Sequence, residues 1–420
     1  MDAERTPDLQ RYAALDRRLL AAVRGIRILP TVAWPASLQA RLLGDFARGR
    51  PRLPHIEYAR PDLAEARAEL AAIEREAAGE DAIGQYLART AASWQMAARM
   101  LEAVGSAEVT APSIALYGRP GDPILGSQRS NLDAAQYFVE LADELGTELD
   151  AGDIVADIPA ETLRAEMAST LDDFFGAGRI AVEVDPELTA KAAAGATRIR
   201  LRGGACFTAY DRHQLLAHEA FVHSLTALNG REQPLLGSLA RTAPRATATQ
   251  EGLAVFAELI SGAIDIGRLK RISLRILAID KALAGADFVE VYRFFTDAGQ
   301  TPADSFHSAQ RVFRGVPVNG GAAFAKDNVY LSGLLAVHTF FRAALKARRL
   351  ELLRCLFAGK LALEDVPGLE PLMADGTIAP PRWLPPWMRQ VHGLAGTLAF
   401  SLFINRIRMG AVPAPEAPPT

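Results

Sequence analysis

The stretch DRHQLLAHEAFVHSLTAL, residues 211–228, carries an HExxxH sequence inside a pattern typical of an amphipathic helix. Only 7 histidines occur in 420 residues, so chance rarely produces this arrangement. Two neutral imidazoles on one helix can hold a zinc ion, and a glutamate beside the first can take a proton from metal-bound water. The stretch therefore predicts a metal centre with His218 and His223 as ligands and Glu219 as the catalytic base.

The spacing of the two histidines predicts a distorted helix. Residues four apart lie about 40° from one another around an α-helix, whereas residues five apart lie about 140° apart. We therefore predict a π-type widening between His218 and His223. A regular helix with the imidazole nitrogens more than about 5 Å apart would contradict the metal centre, because zinc–nitrogen bonds are only about 2.1 Å long.

A third ligand is predicted in the block TQEGLA, residues 249–254, which opens another amphipathic helix. Glu251 would complete a His-His-Glu site for one zinc ion, with one position open for water, as in catalytic zinc sites. Glu258 lies on a similar face of that helix and could orient a ligand histidine, although we expect it to be a surface acid.

Periodicity elsewhere predicts a mainly helical α+β fold with a small sheet beside the HExxxH helix. Alternating residues predict strands over 179–185 and 197–202, with a short helical segment between them. Glycines and prolines in 113–131 favour an ordered loop over a continuous helix. Amphipathic helices are predicted, among other places, over 62–78, 81–103, 131–145 and near 388–408.

The predicted organisation has four parts and no linker that forces a division. They are an N-terminal helical region (1–150), a core that contains the predicted zinc centre (151–345), C-terminal helices packed on that core (346–410) and a proline-rich disordered tail (411–420).

Composition and charge exclude several classes of partner and site. Lys plus Arg (46) nearly balance Asp plus Glu (49), so the formal net charge of -3 offers no field for nucleic acid or an anionic membrane. Cys206 and Cys355 are far apart and form no CxxC spacing, which predicts neither a disulfide framework nor a thiolate zinc site. The longest uncharged run, residues 390–405, is shorter than the ~18–20 residues that cross a bilayer. Because the N-terminus also lacks the apolar core of a secretion signal, we expect a cytoplasmic protein.

Four blocks of the sequence resemble a known family. HEAFVH, SLTALNG (224–230), TQEGLAVFAEL (249–259) and FAKDNVYLSGL (324–334) resemble the QEGLA-motif proteins of bacteria, which are related to the microtubule-associated tyrosine carboxypeptidases of animals. The resemblance is clear over about residues 180–345. It implies a gluzincin-like zinc metallopeptidase core, in which His218, His223 and Glu251 match the metal ligands and Glu219 matches the catalytic glutamate.

The block from residue 311 to 330 carries side chains suited to a peptide's C-terminal carboxylate. A helix is predicted to begin near Asn328 with Asp327 as its N-cap, where free backbone amides attract an anion. Two tasks could fall to this group of side chains, which are binding that carboxylate and polarising the scissile carbonyl: Arg311, Arg314, Lys326 and Tyr330. The residues alone do not divide these tasks among the four.

The strand TRIRLR, residues 197–202, places Arg198, Arg200 and Arg202 on one face. It lies shortly before the HExxxH helix, where an extended substrate could add to a sheet edge. Arg200 is therefore a candidate for binding an acidic tail, although such arginines more often protect an edge from aggregation.

Together these patterns favour a zinc-dependent metallopeptidase, more specifically a carboxypeptidase acting on the C-terminus of a peptide or protein, with neither nucleic acid nor a membrane as partner. Two alternatives stay open. One is a regulatory binding protein that keeps the metal as a structural clamp, and the other is a metal hydrolase of non-peptide amides.

Overall fold

The computed structural model of the chain describes residues 2–35, 37–146, 155–188 and 191–404. Helices dominate the N-terminal part, and the predicted helices over 62–78, 81–103 and 131–145 are confirmed as α4, α5 and α7. Asp81 starts α5 by accepting hydrogen bonds from the backbone amides of Ile83 and Gly84. The helices of this part are α1 (Asp2–Ala22), α2 (Ile28–Thr31), α3 (Ser37–Ala47), α4 (Ala64–Ala77), α5 (Ala82–Glu102), α6 (Thr110–Tyr117) and α7 (Asn131–Gly146), with short 3-10 helices at Val23–Gly25 and Ala107–Val109.

The tract over 113–131 is not a continuous helix, as predicted, although α6 covers its first residues. Beyond Gly118 the chain makes turns and an isolated antiparallel bridge between Pro123 and Ser130.

Two small sheets follow and confirm the α+β class. Strand β2 pairs in parallel with β4, β3 pairs antiparallel to the other side of β4, and β1 pairs antiparallel with β5. The elements are β1 (Ile158–Pro159), α8 (Ala160–Phe175), β2 (Ala181–Asp185), β3 (Ala192–Ala194), β4 (Arg198–Arg202) and β5 (Cys206–Phe207).

The short helix predicted between the two longer strands is wrong, because three alanines of that segment form β3. Alanine favours helices, but backbone pairing with β4 outweighs that preference here. A further contact holds the segment in place, since the Ser224 hydroxyl donates a hydrogen bond of 2.8 Å to the carbonyl of Gly195. The small sheet therefore lies against the HExxxH segment, as predicted.

The rest of the described chain is helical. Its α-helices are α9 (Ala209–Leu215), α10 (Leu225–Arg231), α11 (Thr247–Ile260), α12 (Ile266–Leu283), α13 (Phe288–Asp297), α14 (Pro302–Val312), α15 (Val329–Lys346), α16 (Leu350–Cys355), α17 (Val366–Leu369), α18 (Pro386–Arg389) and α19 (Val391–Ile404). A π-helical segment spans Leu216–Ser224, and 3-10 helices span Gly237–Ala240, Pro244–Ala246, Ala325–Asn328, Leu363–Asp365 and Glu370–Met373.

One cluster of buried apolar side chains extends from Tyr12 in α1 to Leu398 in α19. A buried hydrogen bond of 2.8 Å between Tyr86 and Ser238 also joins the N-terminal helices to the later ones. The four-part division of the chain stays a prediction, and the disordered tail predicted over 411–420 lies outside the described residues.

Within the described part of the chain, no helix combines the length and the apolar character needed to cross a membrane.

Helices α11 and α15 cross at two glycines. A Cβ atom on Gly252 would lie 2.1 Å from the carbonyl carbon of Gly333, and one on Gly333 would lie 2.1 Å from the carbonyl oxygen of Ala248. The two backbones are therefore in direct contact. This crossing brings Glu251, the neighbour of Gly252, close to the 3-10 turn that precedes α15.

Replacing Gly252 by alanine is expected to lower the free energy of unfolding by about 1–3 kcal/mol or more, because backbone on a second helix cannot move aside as a flexible side chain can. Denaturant unfolding measures this change. Gly396→Ala in α19 is the matched control: that glycine is exposed with open space around its Cβ position, so alanine should stabilise slightly, if at all. Equal unfolding midpoints for the two variants would contradict the close crossing.

Candidate functional site

The HExxxH sequence lies in the π-helical segment Leu216–Ser224, so the predicted widening is confirmed. In a π-helix the backbone hydrogen bonds join residues that are five apart, which places such residues on one face. The imidazole rings of His218 and His223 accordingly lie 4.8 Å apart between centroids and nearly perpendicular, at 83°. The five-residue spacing thus brings the two side chains together.

The two histidines converge on one carboxylate oxygen of Glu251. The Oε2 atom of Glu251 lies 3.5 Å from Nε2 of His218 and 3.6 Å from Nε2 of His223. All three donor atoms lie within 4.8 Å of one another, and no other group of three such donors does so among the described residues. Tetrahedral zinc with bonds of about 2.1 Å holds its ligand atoms about 3.4 Å apart. Two imidazoles and one carboxylate at these separations fit a zinc ion.

Glu258 orients His218, and the surface position that we expected for this acid is wrong. Its side chain is fully buried and lies 2.7 Å from Nδ1 of His218. Arg268 in α12 donates hydrogen bonds of 3.1 and 3.0 Å to the two Glu258 oxygens, which makes burial of the carboxylate tolerable. Burial favours a raised pKa, but Arg268 and His218 lower the pKa of Glu258 to about 2. The resulting charged acceptor on Nδ1 directs Nε2 of His218 toward Glu251.

The charges around Glu251, His218 and His223 favour the binding of a cation. Burial opposes the charge of Glu251, yet Lys326 and the two histidines hold its pKa well below the usual range. Burial lowers the pKa of His223, whereas hydrogen bonds to Glu251 and Glu258 overcome burial and raise the pKa of His218 well above its usual value. The carboxylates of Glu251 and Glu258 thus favour positive charge at the His218 ring, which a bound metal ion would also supply.

Glu219 projects from the π-helical segment toward the small sheet. Its Oε2 atom accepts a hydrogen bond of 3.1 Å from the backbone amide of Ala194 in β3. This contact holds the carboxylate near the imidazole of His218 and leaves Oε1 without a hydrogen bond from the described residues. A general base next to a metal ion needs such a free oxygen.

Of the predicted substrate residues around α15, Lys326 contacts a candidate metal donor directly, and Tyr330 and Arg311 follow beyond it. Nζ of Lys326 lies 3.2 Å from Oε1 of Glu251, the oxygen that does not face the histidines. The same ammonium lies 5.5 Å from the centre of the Tyr330 ring, and Nη2 of Arg311 lies 3.5 Å from the Tyr330 hydroxyl.

The predicted N-cap at Asp327 is wrong. Asp327 lies in the 3-10 turn Ala325–Asn328, and α15 begins at Val329 without a side-chain cap. Its carboxylate is instead bound by Arg311, whose Nε and Nη2 donate hydrogen bonds of 2.5 and 2.7 Å to the two oxygens. Together with nearby Arg275, this ion pair holds the pKa of Asp327 well below its usual value despite burial.

Arg200 lies apart from these residues, on the exposed face of β4, where it pairs with Asp185 at 3.0 Å. The alternation predicted for this strand is confirmed, because Ile199 and Leu201 are fully buried on the opposite face. Addition of a substrate to the edge of β4 is ruled out, since β4 is the central strand and has a neighbour on each side. Within the described ranges, the strand edge next to the HExxxH segment that has no paired strand belongs to β3.

Lys360 is a neighbour of the site that the sequence analysis missed. It is 8% exposed and donates a hydrogen bond of 3.3 Å to Oε1 of Gln250, the residue before Glu251. Burial lowers its pKa to about 8, although the charges of Glu251 and Glu219 oppose that shift. The only signal in the sequence is a lone lysine inside the apolar run CLFAGKLAL, residues 355–363.

Comparison with known proteins was consistent with this geometry. A family model described as microtubule-associated tyrosine carboxypeptidase matches residues 45–406, a range that contains every site residue discussed above. No curated protein shows significant similarity to the chain.

Proposed function

The chain belongs to the microtubule-associated tyrosine carboxypeptidase family, and from this premise we propose that it is a zinc-dependent carboxypeptidase that removes the last residue of a peptide or protein. One observation carries the proposal: His218, His223 and Glu251 converge within 4.8 Å, with the carboxylate of Glu219 beside them.

His218, His223 and Glu251 would hold one zinc ion, which supplies Lewis acidity at the scissile carbonyl. Glu258 keeps the His218 ring in the orientation that this binding requires. Glu219 removes a proton from the attacking water and later transfers it to the leaving amine, while the Ala194 amide holds its other oxygen.

Strand β3 supports a peptide as the substrate. Among the described residues it has a paired neighbour on one side only, and its Ala194 amide donates a hydrogen bond to Glu219. An extended peptide that pairs with this edge would pass directly beside Glu219. The edge thus replaces β4 as the docking strand in the proposal.

Peptide cleavage by the zinc-loaded protein tests the proposal. We expect release of tyrosine from a pentapeptide with a free C-terminal tyrosine, loss of that activity with a metal chelator, and recovery when zinc is added back. The amidated form of the same peptide should be a far poorer substrate. Mass spectrometry of the products measures the cleavage of each peptide.

Three other results would replace the proposal. Equal cleavage of the amidated peptide would indicate an endopeptidase. Hydrolysis of non-peptide amides alone would indicate a different metal hydrolase. Bound zinc without hydrolysis of any substrate would favour a regulatory binding protein with a structural metal.

A further inference from the structure

An excess of positive charge lies beside the proposed metal centre. Three guanidinium groups, those of Arg275, Arg311 and Arg314, surround the single carboxylate of Asp327. We call these four residues together with Tyr330 the Asp327 cluster. Tyr330 connects the cluster to the metal donors, because its ring lies near Lys326 and Lys326 is paired with Glu251.

Two of the predicted carboxylate-binding residues already form ion pairs with carboxylates of the protein. Arg311 binds both oxygens of Asp327, a bidentate pair that satisfies the carboxylate. Lys326 is paired with Glu251 at 3.2 Å. The charge of each side chain is therefore already balanced by a carboxylate of the protein.

Arg275 and Arg314 are less completely paired, because Arg275 shares the Asp327 carboxylate with Arg311 without a hydrogen bond to it. The Nε atom of Arg275 is buried and lies 3.7 Å from Oδ2 of Asp327, beyond hydrogen-bonding distance, and has no acceptor among the described residues. Arg314 is half-buried and makes no hydrogen bond or ion pair with any residue that the structure describes. Buried donors in folded proteins are nearly always satisfied.

The pKa shifts of Arg275 and Arg314 also indicate that these two arginines have too few negatively charged neighbours. Burial, together with the positive charge of Arg311, lowers the pKa of Arg275 and of Arg314 to about 10. Both groups stay protonated near neutral pH, but Asp327 is the only carboxylate that the described residues place beside them. Glu258, another buried acid nearby, is already bound by Arg268.

We propose that Arg275 and Arg314 bind the C-terminal carboxylate of the substrate beside Tyr330. This inference rests on the proposed carboxypeptidase function and names the residues that select for a free chain end. A carboxylate is a small planar anion that guanidinium groups bind with two hydrogen bonds, and it would supply the negative charge that the cluster lacks. Lys326 and Tyr330 connect Glu251 to the cluster, so the two arginines and the proposed metal centre belong to one continuous group of side chains.

Kinetics of the free and amidated tyrosine peptides test the assignment. In Arg275→Gln and in Arg314→Gln, kcat/KM for the free acid should fall about 10- to 100-fold, mainly through KM, since hydrogen bonds to a charged group are lost. The amidated peptide should be cleaved as slowly as by the wild type, so the preference for the free acid shrinks. Arg275→Lys should recover only part of it.

Arg271→Gln is the matched control, because Arg271 lies one turn earlier on α12 and is exposed. It should keep the preference of the wild type. If Arg275→Gln and Arg314→Gln leave the preference unchanged, or lower both rates equally together with the melting temperature, the two arginines have only a structural role and the assignment is wrong.

Binding to Glu219→Gln separates this inference from the proposed function. Fluorescent free-acid and amidated peptides should bind the zinc-loaded variant with different affinities, and adding Arg275→Gln should remove the difference. Selective binding that depends on Arg275, without cleavage by the wild type, would reject the function and keep the anion site. Selective cleavage of the free-acid peptide that does not depend on either arginine would keep the proposed function and reject the anion site.

Discussion

Replacing Glu219 by glutamine is expected to lower kcat for peptide cleavage by about 10²–10⁴-fold, the usual contribution of a general base, while about one zinc ion per chain stays bound. Glutamine has nearly the same shape and can still accept the hydrogen bond from Ala194, so the local structure should persist. It cannot take a proton from water. Steady-state cleavage of the tyrosine peptide measures the rate, and metal analysis measures the zinc.

Glu183→Gln in β2 is the matched control for this prediction. Glu183 is an exposed carboxylate of the same small sheet and pairs with Arg198. Its replacement should leave kcat unchanged. An active Glu219→Gln enzyme, or one that is inactive only because its zinc is missing, would remove Glu219 from the role of base.

Replacing His223 by alanine is expected to reduce bound zinc from about one ion per chain to nearly none. Three protein ligands are the minimum for a catalytic zinc site, and even the loss of a residue that orients a ligand costs 10- to 100-fold in affinity. The affinity should therefore fall by more than about 100-fold. Metal content after dialysis against a weak chelator measures it, and the rise in melting temperature on adding zinc should disappear as well.

His213→Ala provides the comparison for the zinc measurement. His213 lies in α9, directly before the π-helical segment, and is exposed and outside the donor set. It should bind zinc as the wild type does. Retention of zinc in His223→Ala would show that the five-residue spacing does not define the ligands.

The parts of the site that are local in the chain could be predicted from the sequence. His218, Glu219 and His223 share one helical stretch, and geometry alone demanded that this stretch be widened. Glu251 is distant in the chain, yet zinc chemistry required a third donor and TQEGLA offered one at the start of a helix.

The choice of charge partners could not be predicted, because packing decides it. The crossing of α11 and α15 at Gly252 brings Lys326 to Glu251, and nothing in periodicity signals a contact between two backbones. The burial of Glu258 likewise depends on where the turn after α11 directs α12 and its Arg268. A sequence shows which residues are charged, whereas the fold determines which charges meet.

The alanines of β3 illustrate the same limit for secondary structure. Residues 192–194 have high intrinsic helix propensity, and the sequence contains no alternation there that would indicate a strand. Pairing with β4 and contact with Glu219 provide the missing information, and both are tertiary.

The proposed metal centre cannot be moved to a designed scaffold by copying four side chains. On an ideal α-helix the same letters would direct His218 and His223 about 140° apart. A transplant has to include the widened backbone of Leu216–Ser224 and the neighbours that contact its end, Gly195 through Ser224 and Gln250 through Thr226. The smallest portable unit is therefore an assembly of strand, widened helix and second helix, and a designer who starts from a straight helix should choose a four-residue spacing instead.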